Sequence, residues 1–240
     1  MTTAPLPATP HLAPARVLLL PGWMNSDAAH WQSRWEQLHG WTRVEQDDWV
    51  WPRRGDWMAQ LDEVVQASAA PVLMVAHSLG AHLVAAWAAH SQHTARVVGA
   101  MLVAPPDTAR ADLPPNLFSW RATPCQRLPF PSLMVLSTDD PYCDTTRAAL
   151  MAADWGSTCV SIGAHGHINA SSGLADWPQG LALLRTLATL APDAATACHT
   201  ADTRLLRPPP PPPPPPLPLP LPLPFPAPFA APPSLDEDSR

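Results

Sequence analysis

The 240 residues include no lysine, and fourteen arginines face twenty acidic residues for a formal net charge of -6. Arg53-Arg54 is the only adjacent basic pair. A nucleic-acid binder needs a stripe of cations to neutralise phosphates, so this class is excluded. The same shortage rules out a polybasic membrane anchor. No apolar run approaches the roughly 20 residues that cross a bilayer. The N-terminus lacks the basic n-region and long apolar stretch of a secretory signal. The four cysteines, Cys125, Cys143, Cys159 and Cys198, form no C-x-x-C pair. Reduced thiols in a cytoplasmic protein are the simplest account of them.

Proline is the residue in excess, and it is concentrated at one end. From Arg207 onward the chain runs through nine consecutive prolines, Pro208 to Pro216, into a Leu-Pro alternation and an acidic tip. Proline locks φ and removes the backbone donor, so this segment reads as an extended polyproline II tail without a core of its own. Residues 1–15, rich in Ala, Pro and Thr, read as a short disordered lead. The predicted organisation is therefore lead 1–15, one domain at 16–193 with enough chain for a good core, and a disordered tail at 194–240.

Within the domain, strand and helix signals alternate. Apolar runs at residues 16–23 ("RVLLLPGW"), 71–76, 96–105, 132–137 and 158–162 read as buried strands, and "TRVEQDDW" reads as a weaker one. Between them lie amphipathic stretches. Ser26 is placed to cap a helix carrying Trp31, Trp35 and Leu38 and stopped by Gly40. Trp57, Leu61, Val64 and Val65 share one face of a second helix. Others follow Ser78, Thr145 and Trp177. This order predicts an α/β fold, an open and mostly parallel sheet with helices on both faces. Residues 105–131 read as a long irregular connection that overhangs one edge, with Leu117, Phe118 and Trp120 exposed.

In such a sheet, functional groups collect on loops beyond the carboxyl ends of strands. Three of those loops carry complementary chemistry. Ser78 follows "PVLMVAH", Asp139 and Asp140 follow "SLMVLS", and His165 and His167 follow "TCVSI". A serine hydroxyl becomes a nucleophile when an imidazole takes its proton and a carboxylate orients that imidazole. The alternative for Ser78 is an ordinary turn residue. A metal on the H-x-H pair would need a third ligand, and none has suitable spacing, so no metal or cofactor is predicted. Cys143 lacks a histidine in matching loop order and reads as a small buried residue. His77 and His82 flank Ser78, and His77 is expected to pack locally.

Four stretches, "LPGWMNSDAAHWQSRWE", "AHSLGA", "STDDPYC" and "GHINASSGLADWPQG", span most of the domain. In them the chain resembles the small serine hydrolases grouped with a retinoblastoma-binding protein, a compact branch of the α/β-hydrolase superfamily. The resemblance implies a minimal fold without a large lid, and hydrolysis of a small ester or amide through a serine acyl-enzyme. It implies Ser78 as nucleophile on an elbow where Ala76 replaces the commoner glycine of G-x-S-x-G. It favours Asp140 over Asp139, through the D-P-Y pattern, and His167 over His165, through G-H-I-N. It also implies oxyanion donors at the backbone amides of Leu79 and Trp23, with Gly22 allowing close approach; an ordinary turn at Pro21-Gly22 is the alternative. His30 and Trp31 belong to the H-W-Q signature and either line the substrate site or pack against the sheet. No L-x-C-x-E peptide occurs, so a retinoblastoma partner is not expected. The partner class is a small ester or amide. A catalytically silent shell that binds polyproline-recognising proteins through its tail is the alternative.

Overall fold

The computed structural model describes residues 15–121 and 124–190. In chain order, β1 (Arg16–Leu20) leads to α1 (Trp31–His39), β2 (Thr42–Arg43), α2 (Arg54–Gln66), β3 (Val72–His77) and α3 (Leu79–Ala88). Then come β4 (Val97–Val103), β5 (Ser132–Leu136), α4 (Thr145–Trp155), β6 (Thr158–Ser161) and α5 (Pro178–Leu190). The strands form one sheet in the order β2-β1-β3-β4-β5-β6, every pair parallel. The fold is thus the expected α/β arrangement. Among the described residues no helix is long and apolar enough to cross a membrane. The readings made for residues 1–14 and for the proline tail lie outside the described residues.

Side chains alternate across a strand, and each apolar run therefore feeds two cores. Leu18, Leu20, Met74, Ala76 and Leu102 pack on one face beneath α2, α3 and α4, against Trp57, Leu61, Val84 and Met151. Val17, Leu19, Leu73, Val75 and Met101 pack on the other face beneath α1 and α5, against Trp31, Trp35, Leu184 and Leu187. Continuous apolarity is what a strand covered on both faces requires. β6 departs from this. Thr158, Cys159 and Ser161 are exposed, because the strand closes one edge of the sheet.

Three local expectations are corrected. The first helix starts at Trp31, not after Ser26, because Asp27 turns the chain by accepting the amides of Ala29 and His30. His30 then caps the helix, its Nδ1 accepting from the Gln32 amide. Ser26 Oγ instead donates to the buried Gln32 side chain at 2.9 Å. In the weaker strand only Thr42 and Arg43 pair. Within 105–131 a 3-10 turn, Pro115–Trp120, buries Leu117 and Trp120 and leaves Phe118 49% exposed. The Trp120 indole donates to the Pro52 carbonyl at 2.8 Å and packs on Trp57.

The connection from β1 runs out to β2 at the edge and returns to β3 on the other side of β1. The loops leaving β1 and β3 therefore diverge and open a crevice between them, the place where ligands bind in open α/β sheets.

Candidate active site

Ser78 sits at this crevice, between β3 and α3, with φ 54° and ψ -123°. A non-glycine residue in this region costs on the order of 1–3 kcal/mol and persists only when its surroundings hold it there. Its amide donates to the Val103 carbonyl at 2.8 Å, and its carbonyl accepts from the Ala81 amide at 3.0 Å. Two glycines allow the bend. A Cβ on Gly80 would lie 2.2 Å from the Leu20 carbonyl oxygen, so α3 can approach β1 only without a side chain there. A Cβ on Gly22 would lie 2.7 Å from Ser78 Cβ and 3.1 Å from its Oγ. Ala76, one strand position before His77, is fully buried in the sheet.

The structure brings Ser78, His167 and Asp140 together. His167 Nε2 lies 2.8 Å from Ser78 Oγ, and His167 Nδ1 lies 3.0 and 2.9 Å from the two Asp140 oxygens. A carboxylate only accepts, so Nδ1 carries the proton and Nε2 is left to accept the serine hydrogen. The imidazole and carboxylate side chains are 9% and 3% exposed. The Tyr142 amide donates to Asp140 Oδ1 at 2.9 Å, and the Tyr142 ring stands edge-on to His167 at 4.6 Å. This is a continuous path for a proton between an alcohol and an oriented imidazole.

Asp139 and His165 lie beside this path and brace it. Asp139 Oδ1 accepts from Ser137 Oγ at 2.7 Å and from the Gly166 amide at 2.7 Å. Those two donors, the Ser137 hydroxyl first, hold its carboxyl below the usual range. The His165 amide donates to Ser137 Oγ, and its carbonyl accepts from Ser172 Oγ. Sequence reading gave Asp139 only a solvent or turn role, and missed its link to the histidine loop. The histidines beside the elbow also serve loops. His77 Nε2 donates to the His167 carbonyl at 2.9 Å, and His82 Nε2 to the Pro106 carbonyl at 2.7 Å. Their position next to Ser78 was the available signal.

A cavity of about 580 Å³ opens over Ser78, within the range typical of small-molecule sites. Its walls include Trp23, Leu79, Leu113, Leu117, Tyr142 and His167. The amide of Leu79 opens α3, where unpaired N–H groups and the helix dipole favour negative charge. Among the described residues the backbone amides of Trp23 and Leu79 have no acceptor. His30 reaches the cavity wall, whereas Trp31 is buried beneath it. Burial pushes the His30 imidazole down to about 4, so it is neutral, and its Nε2 has no partner among the described residues. The Arg110 guanidinium at the rim is engaged by Asp112 at 2.6 Å, and Asp107 by Arg147 at 3.1 Å. Cys143 is buried, and that burial raises its thiol to about 12, which leaves no thiolate for nucleophilic work.

A family model described as serine hydrolase matches residues 17–186. Among solved structures, a YdeN-like hydrolase from Pectobacterium atrosepticum is 29% identical with a TM-score of 0.66, covering 75% of this chain and 93% of that one. The ydeN gene product of Bacillus subtilis is 18% identical with a TM-score of 0.60, covering 73% and 99%. An esterase from Rhodococcus is 14% identical with a TM-score of 0.55, covering 75% and 92%, a likeness of fold alone. A search of curated proteins finds no match. With a match across most of its length and its fold shared with these neighbours, this chain belongs to the serine hydrolase family of α/β-hydrolase proteins.

Proposed function

We propose that this protein hydrolyses a small carboxylic ester, or an amide of similar size, through an acyl-enzyme on Ser78. Ser78 Oγ attacks the substrate carbonyl carbon while its proton passes to His167 Nε2. Asp140 holds the imidazole in the receptive tautomer and stabilises its charged form. The oxyanion that forms is received by the amides of Leu79 and Trp23, residues that line the same cavity as Ser78. Collapse of the intermediate expels the alcohol or amine, which takes the proton from His167. Water then repeats the sequence with His167 as base, releasing the acid and restoring Ser78. His30 lines the cavity wall as a neutral ring.

The observation that carries this reading is the unbroken set of contacts from Ser78 Oγ through His167 to Asp140, at 2.8 and 2.9 Å. The resemblance of the four stretches quoted above to the branch grouped with a retinoblastoma-binding protein supports this reading, and a cavity of about 580 Å³ suits short acyl groups. The test is labelling by a fluorophosphonate probe together with turnover of short-chain esters. Wild-type protein is expected to label, and Ser78→Ala to lose labelling and about a millionfold in kcat, as when triad members act as one unit. Equal labelling of both proteins, or of neither, ends the reading.

A further inference from the structure

The loop that carries His167 has an irregular backbone. It leaves an exposed edge strand, passes Gly163 and Gly166 at positive φ, and puts Ile168 at φ 49°. A β-branched residue in the left-handed region is strained, and such backbone relaxes unless its surroundings over-determine it. The base of the proposed reaction is thus the neighbour of a strained peptide.

Two buried rings hold that peptide. His77 Nε2 donates to the His167 carbonyl at 2.9 Å, and Trp31 Nε1 donates to the Ile168 carbonyl at 2.8 Å. A carbonyl only accepts, so the His77 proton must sit on Nε2. Burial keeps this imidazole neutral, its affinity for a second proton lowered well below normal. Both donors are nearly sealed from water, Trp31 at 1% exposed and His77 at 5%. No solvent molecule can easily replace either bond if the peptide swings away. The rings pack edge-on at 6.0 Å, and Trp31 is wedged between Trp35 and Trp177. One ring is rooted in β3 and the other in α1.

We propose that His77 and Trp31 are positioning residues that clamp the consecutive carbonyls of His167 and Ile168, and so hold the His167 imidazole between Ser78 and Asp140. The inference rests on the catalytic reading of Ser78. His77 is covalently joined to Ser78, so one strand end sets both the nucleophile and the backbone of its base. The spacing of the two reacting groups is then insulated from motion in the loop. Trp31, from α1, fixes the direction of the next peptide. The His77 ring also packs beside the His167 imidazole at 5.0 Å, but the N–H of each clamp goes to a backbone carbonyl and not to a reacting atom.

The experiment uses the full chain with three variants. Trp31→Phe keeps the ring and removes the donor, His77→Leu removes the donor, and His77→Gln restores an N–H at nearly the same reach. Burst titration with p-nitrophenyl acetate counts active sites, so that the acylation rate is read per competent site. A role in stability alone would lower the count and leave the per-site rate intact. Trp31→Phe and His77→Leu are expected to slow per-site acylation about 10- to 100-fold, as a misplacement approaching 1 Å would, with KM within about threefold. His77→Gln should recover most of the loss. Per-site rates within about threefold of wild type in both donor-removing variants overturn the clamp, as does a glutamine variant no faster than the leucine one. Should His77→Leu not accumulate folded, Trp31→Phe decides by the same criterion. A wild-type chain that fails to label at Ser78 overturns the catalytic reading and the clamp with it, whereas a labelling wild type beside unchanged variants overturns the clamp alone.

Discussion

Gly22 and Gly80 border the same serine, yet each is confined by a different kind of atom. A methyl on Gly80 would run into backbone oxygens of Leu20 and Pro21, at 2.2 and 2.8 Å, and neither can move without displacing β1 from α3. A methyl on Gly22 would meet chiefly the Ser78 side chain. Gly80→Ala is accordingly expected to lower stability by about 3 kcal/mol or more, the upper end of overpacking costs, read by denaturant unfolding. Gly22→Ala should instead lose at least about tenfold in acylation rate, with a smaller loss of stability, because a sub-ångström shift of the proposed nucleophile already matters. Gly80 was legible in the pentapeptide around Ser78. The approach of Gly22 to Ser78 was not, since it joins loops from two strands and no local spacing encodes it.

At the scale of elements, turn chemistry and apolar periodicity located every strand-to-loop junction that matters, while fine choices inside the loops depended on distant partners. Asp139 and Asp140 are adjacent residues of one type in one turn, and their contacts separate only when the histidine loop arrives. Asp140 then meets the imidazole, and Asp139 meets the Gly166 amide and Ser137 hydroxyl. Removing the Asp139 carboxylate frees the turn before His167 but leaves the imidazole partner in place. Asp139→Ala is therefore expected to reduce kcat about tenfold, far less than Asp140→Ala, which removes the group proposed to orient the base. Steady-state kinetics of the two variants side by side check this. The start of α1 shows the same limit. Ser26 had the right residue type for a cap, but Asp27 claimed the local amides and moved the cap to His30.

For the whole molecule, the buried histidines set the response to acid. Burial is the first cause of the lowered proton affinity of His30 and His82, both about 4, and of His77, which is also held well below the ordinary value. The unfolded chain binds protons at these rings near the ordinary value of 6.5, so between about 6.5 and 4 it holds more protons than the native state. Stability must fall as pH drops through that window and level off above it. Each ring with a folded value near 4 contributes on the order of 3 kcal/mol of loss by pH 4. Thermal melts from pH 7.5 to 4 should show this acid limb, and His82→Gln, which keeps a donor for Pro106 without a titrating ring, should make it shallower. An unchanged slope in that variant would contradict the assignment.

What the residues alone determined was the alternation of strands and helices, the order of serine, carboxylate and histidine along the chain, and the edge of the sheet to which they belong. Those follow from interactions within a few residues: apolar period, turn formers, the reach of a cap. Local pattern left two carboxylates and two imidazoles open, and only the family resemblance favoured Asp140 and His167; the tertiary structure joins them, because His167 finds Asp140 across 27 residues and Ser78 across 89. It alone decided that His77 and Trp31 close on the carbonyls of His167 and Ile168, contacts spanning 90 and 137 residues. Contacts at that separation are set by how the sheet twists and how its two faces are covered, and no local pattern of side chains carries that information.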